Sequence, residues 1–200
     1  MTTTESDGRK MKIGIIVGST RPGRKGRQVA EWILEQASVR EAATYELVDL
    51  LDFNLPVFDE ANPPGMAKYE HEHTKKWSAA VAQYDGFVFV TPEYNHAMPA
   101  SLKNALDYLV REWAGKGAAC VSYGFAGGVR AVEGLRCVLG QLRMADVSAN
   151  IGFSMMDDFA DGTFAPREFH VAAATLMFDQ LESWTGALIP LRAQYLQKAG

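Results

Sequence analysis

Two hundred residues, 48% hydrophobic and 22% charged, suit one compact α/β domain with a sizeable core better than two small domains. A formal charge of −4 and an isoelectric point near 5.6 give no whole-chain attraction to nucleic acid or to an anionic membrane, so any basic feature is local. The polar opening MTTTESDGRK lacks the apolar core of a signal peptide, and no apolar run approaches the roughly 20 residues of a membrane span, so no membrane segment and a cytoplasmic location are expected. Residues 1–10 read as a disordered tail before a single domain over 11–200. Cys120 and Cys137 are too few for a disulfide framework and too isolated for a zinc site, and both read as small core residues.

In chain order, the first apolar run, KIGIIVG at 12–18, reads as a strand. A helix follows, with Val29, Trp32, Ile33 and Ala37 on one face. YELVDL at 45–50 is the second strand. His71 and His73 flank Glu72 on a polar helix, where their spacing does not suit a metal, and read as a solvated face. GFVFV at 86–90 is the third strand, and the helix after it presents Leu102, Ala105, Leu106, Leu109 and Val110. AACVSYG at 118–124 and ADVSANIG at 145–152 complete the strands. DDFADG at 157–162 lacks the ligand spacing of a calcium loop and reads as surface. The last helix, 167–198, carries Phe169, Ala173, Leu176, Leu181, Trp184 and Leu188 at compatible spacing, with Pro190 kinking or dividing it. Strands alternating with helices predict a parallel sheet covered on both faces through right-handed crossovers.

In such a sheet ligands sit beyond the carboxyl ends of the strands, near the point where strand order reverses. Three loops there are unusual. The first, GSTRPGRKGRQVAEW from Gly18 to Trp32, combines Gly and Ser at a strand end, a following helix and Arg21, Arg24, Lys25 and Arg27, with no acidic residue from Ile13 through Ala30. That is a phosphate cradle. It lacks the Gly-Lys-Ser/Thr ending of a P-loop and the second glycine of a dinucleotide fingerprint, so a single phosphate monoester suits it best. In the second loop Pro92 and Pro99 bracket Tyr94, Asn95 and His96, a stiff turn that suits a flat heterocycle. The third, SYGFAGGVRAVEGLR, places Ser122, Gly124, Gly127 and Gly128 after a strand, either for close backbone approach to a ligand or for a tight turn.

Gly18-Ser19-Thr20-Arg21, the string PEYNHAMPASLKNALDYL and the Gly-rich SYGFAGG together resemble the NAD(P)H-dependent FMN reductases, the flavodoxin-like quinone, chromate and azo reductases, in register from about Lys12 to Gln197. The resemblance implies a flavodoxin-like three-layer sandwich with a five-stranded parallel sheet, FMN as cofactor and NADPH or NADH as co-substrate. It places Ser19 and Arg21 on the FMN phosphate, with Arg24, Gly26 and Arg27 in the same loop. Pro92, Glu93, Tyr94 and Asn95 would line the isoalloxazine, and Ser122, Tyr123 and Gly124 would hold its far edge. Tyr94 and His96 fall on the substrate side; Trp113, which follows the helix leaving the second loop, reads first as a core or subunit-interface residue and second as a substrate-side contact. No residue is assigned as acid or base, because hydride chemistry belongs to the flavin, and no metal is expected. A homodimer or homotetramer that reduces a small-molecule acceptor by a ping-pong route is implied, against the alternative of a non-catalytic electron carrier or sensor.

Overall fold

A computed structural model describes residues 9–198. Its elements are β1 (Met11–Val17), α1 (Gly26–Ala37), β2 (Ala43–Asp49), α2 (Glu72–Ala82), β3 (Gly86–Pro92), α3 (Ala100–Asp107), β4 (Gly117–Gly124), α4 (Val129–Gln141), β5 (Ala145–Ser154), the short β6 (Phe159–Ala160) and β7 (Thr163–Phe164), and α5 (Phe169–Lys198). Strands β1 to β5 form one parallel sheet in the order β2-β1-β3-β4-β5. The order reverses between β1 and β3. The three loops named above follow β1, β3 and β4 and therefore gather at one edge of the sheet.

The central strands β3 and β4 are buried at every position, which their near-continuous apolar runs require. Alternate residues divide between two cores. Ile13, Ile15, Val17, Val88, Val90, Ala119, Val121 and Tyr123 face α1 and α5, whereas Ile16, Phe87, Phe89, Ala118 and Cys120 face α2, α3 and α4. At the amino-terminal edge, buried Asp85 accepts from Arg9, Arg192 and the Lys12 N–H at 3.0, 2.6 and 2.9 Å. Arg9 of the expected tail is thus tied to the domain, while residues 1–8 of that tail lie outside the described residues.

Several expectations are corrected. Helix α5 runs through Pro190 undivided. Its packed stripe is Ala174, Met177, Phe178, Leu181 and Thr185, whereas Phe169, Leu176 and Trp184 are about half exposed. The apolar residues on the outer face had suggested the wrong rotation of a helix turning every ~3.6 residues. Cys137 is exposed and only Cys120 is a core residue. The DDFADG segment is not all surface: Asp158 is fully buried, accepting from the Ser154 N–H at 2.8 Å, Arg167 Nε at 3.0 Å and, in neutral-ring form, His170 Nε2 at 3.1 Å. Burial disfavours the Asp158 carboxylate, but these donors outweigh it and hold the group below its ordinary range. His71 and His73 stack with ring centroids 5.1 Å apart, and His73 Nε2 lies 3.0 Å from Asp59 Oδ1, so this pair anchors a loop rather than standing free in solvent.

Candidate functional site

The first loop leaves β1 with the Gly18 N–H bonded to Val90 O at 2.9 Å and with Ser101 Oγ donating to Gly18 O at 2.6 Å. The loop is thereby held between β3 and the first turn of α3. Ser19 is buried, and its hydroxyl lies 2.9 Å from that of Tyr94, joining the first loop to the second. The four basic side chains are not equivalent. Arg24 Nη2 bonds Asp49 Oδ2 at 2.5 Å, Arg27 Nη1 approaches the same oxygen at 3.5 Å, and Lys25 donates to Gly162 O in the β6–β7 hairpin. Asp49 ends β2 and also accepts from the Leu51 N–H. Arg21 is exposed, and its guanidinium has no partner among the described residues. Of the four cations, Arg21 is the one left for an incoming anion.

In the second loop the backbones of Tyr94 and Ala97 bond each other at 2.9 and 3.1 Å across Asn95 and His96, which have φ of 49° and 68°. Two consecutive residues in the left-handed region make the tight turn that projects Tyr94 beside Ser19. Asn95 and His96 are exposed at the turn's tip. Pro92 is buried as the last residue of β3, and Pro99 caps α3, its carbonyl accepting from Leu102 and Lys103 N–H groups. Glu93 is committed elsewhere, its carboxylate accepting from Arg130 N and Nε at 3.1 and 2.6 Å. Burial would raise this carboxyl, yet the Arg130 bonds hold it below the usual range. The Glu93 side chain therefore ties the second loop to α4, and its N–H is bonded to Tyr123 O at 3.0 Å.

In the third loop Ser122 Oγ donates to Gly127 O at 2.6 Å, and Gly124 O accepts from Gly127 and Met155 N–H groups. Gly128 has φ of 78°, and a Cβ there would meet Ser122 Cβ at 2.7 Å, so glycine is required for the loop to close over the strand. Ser122 shapes the loop through its side chain. Tyr123 points the other way, toward α1: a Cβ at Gly26 would lie 2.8 Å from its hydroxyl. That hydroxyl is buried and without a partner among the described residues. The Tyr123 side chain therefore lies at the first loop, while its backbone stays in β4 between Ser122 and Gly124.

Trp113 leaves the group altogether. It is fully buried against Trp77, Phe87 and Phe89, with Nε1 donating to Leu106 O at 3.2 Å, and presents no surface to a substrate. The residues missed from sequence are supporting ones: Ser101 beneath Gly18, Asp49 beneath Arg24, and Gln28, whose side chain accepts from the Phe164 N–H at 2.8 Å and fastens the β6–β7 hairpin to α1. An acidic residue closing the strand beside the basic loop was the available signal for Asp49. A cleft of about 180 Å³ borders the first loop on its α3 side, lined by Thr20, Leu50, Leu51, Asn54, Leu55, Ser101 and Asn104. Among the described residues, no group of three or more His, Cys, Asp or Glu side chains is arranged to hold a metal, and no helix is long and apolar enough to cross a membrane.

A family model described as NADPH-dependent FMN reductase matches residues 11–157, a segment that contains all three loops. The chain belongs to that family. An NAD(P)H-dependent FMN reductase of Nectria sp is 45% identical over 126 residues, 60% of this chain and 63% of that protein. The chain thus spans less than two thirds of that relative's length. A quinone reductase of Pseudomonas putida is 34% identical, the match covering 62% of this chain and 67% of that one. Among solved structures, a flavoenzyme NAD(P)H:(acceptor) oxidoreductase from Paracoccus denitrificans superposes with a TM-score of 0.68 at 22% identity, covering 88% of this chain and 98% of the other. That likeness establishes the shared fold.

Proposed function

We propose that this chain is an FMN-dependent oxidoreductase that takes a hydride from NADPH or NADH and delivers two electrons to a small-molecule acceptor such as a quinone, free flavin, azo compound or metal oxyanion. The observation that carries the reading is the unequal use of the loop cations: among the described residues Arg21 alone of the four is unpaired, ahead of a helix start and near a buried hydroxyl that also has no partner there. A phosphate monoester answers each of these. The residues present therefore fit FMN. Ser19, Arg21 and the backbone of the first loop would hold its phosphate, while the backbone of Pro92 to Asn95 and of Ser122 to Gly124 would border its ring. Arg24, Arg27 and Glu93 support those groups from behind.

Bound FMN supplies the hydride chemistry; the protein supplies orientation and a shaped surface. Tyr94, fixed by its turn and by Ser19, and exposed His96 rim the face on which nicotinamide and acceptor would alternate, which supports a ping-pong order. The exposed Phe125 and Met156, on the loops after β4 and β5, support association into a homodimer or homotetramer around this edge. To test the reading, purified protein is reconstituted with FMN and mixed anaerobically with NADPH or NADH. Loss of the oxidised flavin's visible absorbance, followed by its return on addition of a soluble quinone, is expected, with parallel double-reciprocal lines in steady state. Negligible bleaching with both nicotinamides would overturn the reductase reading in favour of a carrier; intersecting lines would overturn the alternating order alone.

A further inference from the structure

Tyr123 has an environment that core packing does not explain. Along β4 the side chains of Ala119, Val121 and Tyr123 alternate toward α1 and α5, and the first two meet only apolar neighbours. Tyr123, two residues further, reaches under the start of α1. Its ring lies against Phe159 at 6.3 Å and its hydroxyl against Gly26, the first residue of the helix. Ser19, Arg21 and Tyr94 lie near enough to act on the hydroxyl electrostatically, and burial keeps the phenol protonated. Tyr123 is only 5% exposed, and its O–H has no acceptor among the described residues.

Buried hydroxyls are nearly always paired, so an unpaired one aimed into a loop calls for an explanation. The surroundings are the N–H groups of a helix start, an unpaired guanidinium and the Ser19 and Tyr94 hydroxyls, which bond each other at 2.9 Å; the loop has no carboxylate, and none of the described groups bonds the Tyr123 hydroxyl. Asp49, the acidic group associated with this loop, is occupied by Arg24 and Arg27. An acceptor brought by a ligand answers this, and negative charge on it suits the N–H groups and the guanidinium beside it.

We propose that the Tyr123 hydroxyl donates to the phosphate of FMN and sets the preference for the phosphorylated flavin over riboflavin. This rests on the reading of the chain as an FMN protein. It moves Tyr123 from the ring end of the cofactor to its phosphate end, and it explains Gly26. Any side chain there would occupy the space of the hydroxyl, whereas glycine lets the tyrosine extend to the helix start.

The test measures dissociation constants for FMN and for riboflavin by quenching of flavin fluorescence, in the wild-type protein and in Tyr123→Phe, alongside thermal unfolding. Loss of a charge-assisted bond should weaken FMN about 10-fold or more and leave riboflavin within about 2-fold, so the ratio of the two affinities collapses by the same factor. A purely packing role would weaken both flavins together. An unchanged ratio in a folded Tyr123→Phe protein would overturn the proposal, showing that water rather than phosphate satisfies the hydroxyl. Should Tyr123→Phe fail to fold, Gly26→Ala decides, because its methyl displaces the hydroxyl without removing the ring: the ratio should again fall, and an unchanged ratio again overturns the proposal. Wild-type protein with equal affinity for both flavins would instead sink the FMN reading itself.

Discussion

The two ends of the parallel sheet treat their charged groups in opposite ways, although each also buries a hydroxyl without a partner among the described residues, Thr185 at one and Tyr123 at the other. At the amino-terminal edge Asp85 is saturated by two guanidinium groups and a backbone N–H, while Lys116, only 3% exposed, is tied to the same end by donating to Val81 O at 2.7 Å and is the costly member of it. At the carboxyl edge Arg21 and the Tyr123 hydroxyl have no partners among the described residues, and two residues of the second loop sit in the left-handed region. A satisfied buried network stabilises the fold and has nothing left to offer a ligand. Unsatisfied donors clustered at a loop edge do the reverse, costing stability that a ligand returns on binding. The contrast predicts that substitutions at the first end move the melting temperature and those at the second move flavin affinity.

The largest effect is expected at the saturated end. Asp85→Ala leaves Arg9, Arg192 and the Lys12 N–H facing a void, and breaking a buried pair in this way costs about 3–5 kcal/mol, or about 6–20 °C in Tm for a domain of this size. Flavin affinity of the protein that remains folded should be unchanged when measured well below Tm. A Tm within about 2 °C of wild type would contradict the picture of a structural network. At the open end, Arg21→Ala removes a charge-assisted contact worth about 1.5–3 kcal/mol, so FMN affinity should fall about 10- to 150-fold while the unfolding curve of the flavin-free protein stays in place. Arg24→Ala should show the converse pattern, with a lower Tm from the stranded Asp49 and a smaller loss of FMN affinity. If Arg24 governed affinity and Arg21 did not, the division of labour in this loop would be wrong.

Lys116 sharpens the comparison through pH. Burial, with Arg192 nearby, lowers its pKa from an ordinary 10.5 to about 7, against the opposing pull of Asp85 and Glu112. The unfolded chain therefore binds a proton between pH 7 and 10.5 that the folded chain does not. Stability gains from this group as pH rises through that window, and below pH 7 the folded protein carries the full cost of a buried ammonium. Lys116→Met abolishes the dependence. Relative to the variant, wild type should gain at most about 1.4 kcal/mol per pH unit between pH 7 and 10, as read from urea unfolding. Parallel stability profiles for the two proteins would show that the lysine stays charged throughout.

Much of the fold was legible because β1, β3 and β4 are continuous apolar runs that only a doubly covered parallel sheet accommodates. The gathering of three loops at one edge followed from that topology. The rest was hidden where the relevant partner lies far along the chain. Arg21 and Arg24 look alike until Asp49, 25 residues after Arg24, neutralises one of them. Asp158 looks solvated until Arg167 and His170, 9 and 12 residues later, fold back on it. On α5 the large side chains were misleading, since Phe169, Leu176 and Trp184 face outward while Ala174 and Thr185 make the close contacts. Thr185 packs so near Gly86 and Gly117 that a Cβ on either would fall within 2.7 Å of its hydroxyl oxygen. Close backbone approach depends on small residues, which hydrophobic periodicity does not register.

The smallest expected effect tests whether the first two loops act together. Ser19 can accept from the Tyr94 hydroxyl and still donate its own proton to a phosphate, so the 2.9 Å contact between them need not be lost on binding. Tyr94→Phe removes one neutral hydrogen bond worth about 0.5–1.5 kcal/mol while keeping the ring and its turn, and FMN affinity should fall about 2- to 13-fold. Riboflavin separates two origins of that loss. If Tyr94 acts by orienting Ser19 toward the phosphate, riboflavin binding should be unaffected; if the hydroxyl steadies the ring-bordering loop, both flavins should weaken equally. Ser19→Ala completes the cycle. Because its hydroxyl is the shared partner, the double variant should lose no more FMN affinity than Ser19→Ala alone, and strictly additive losses would show that the two loops recognise the cofactor independently.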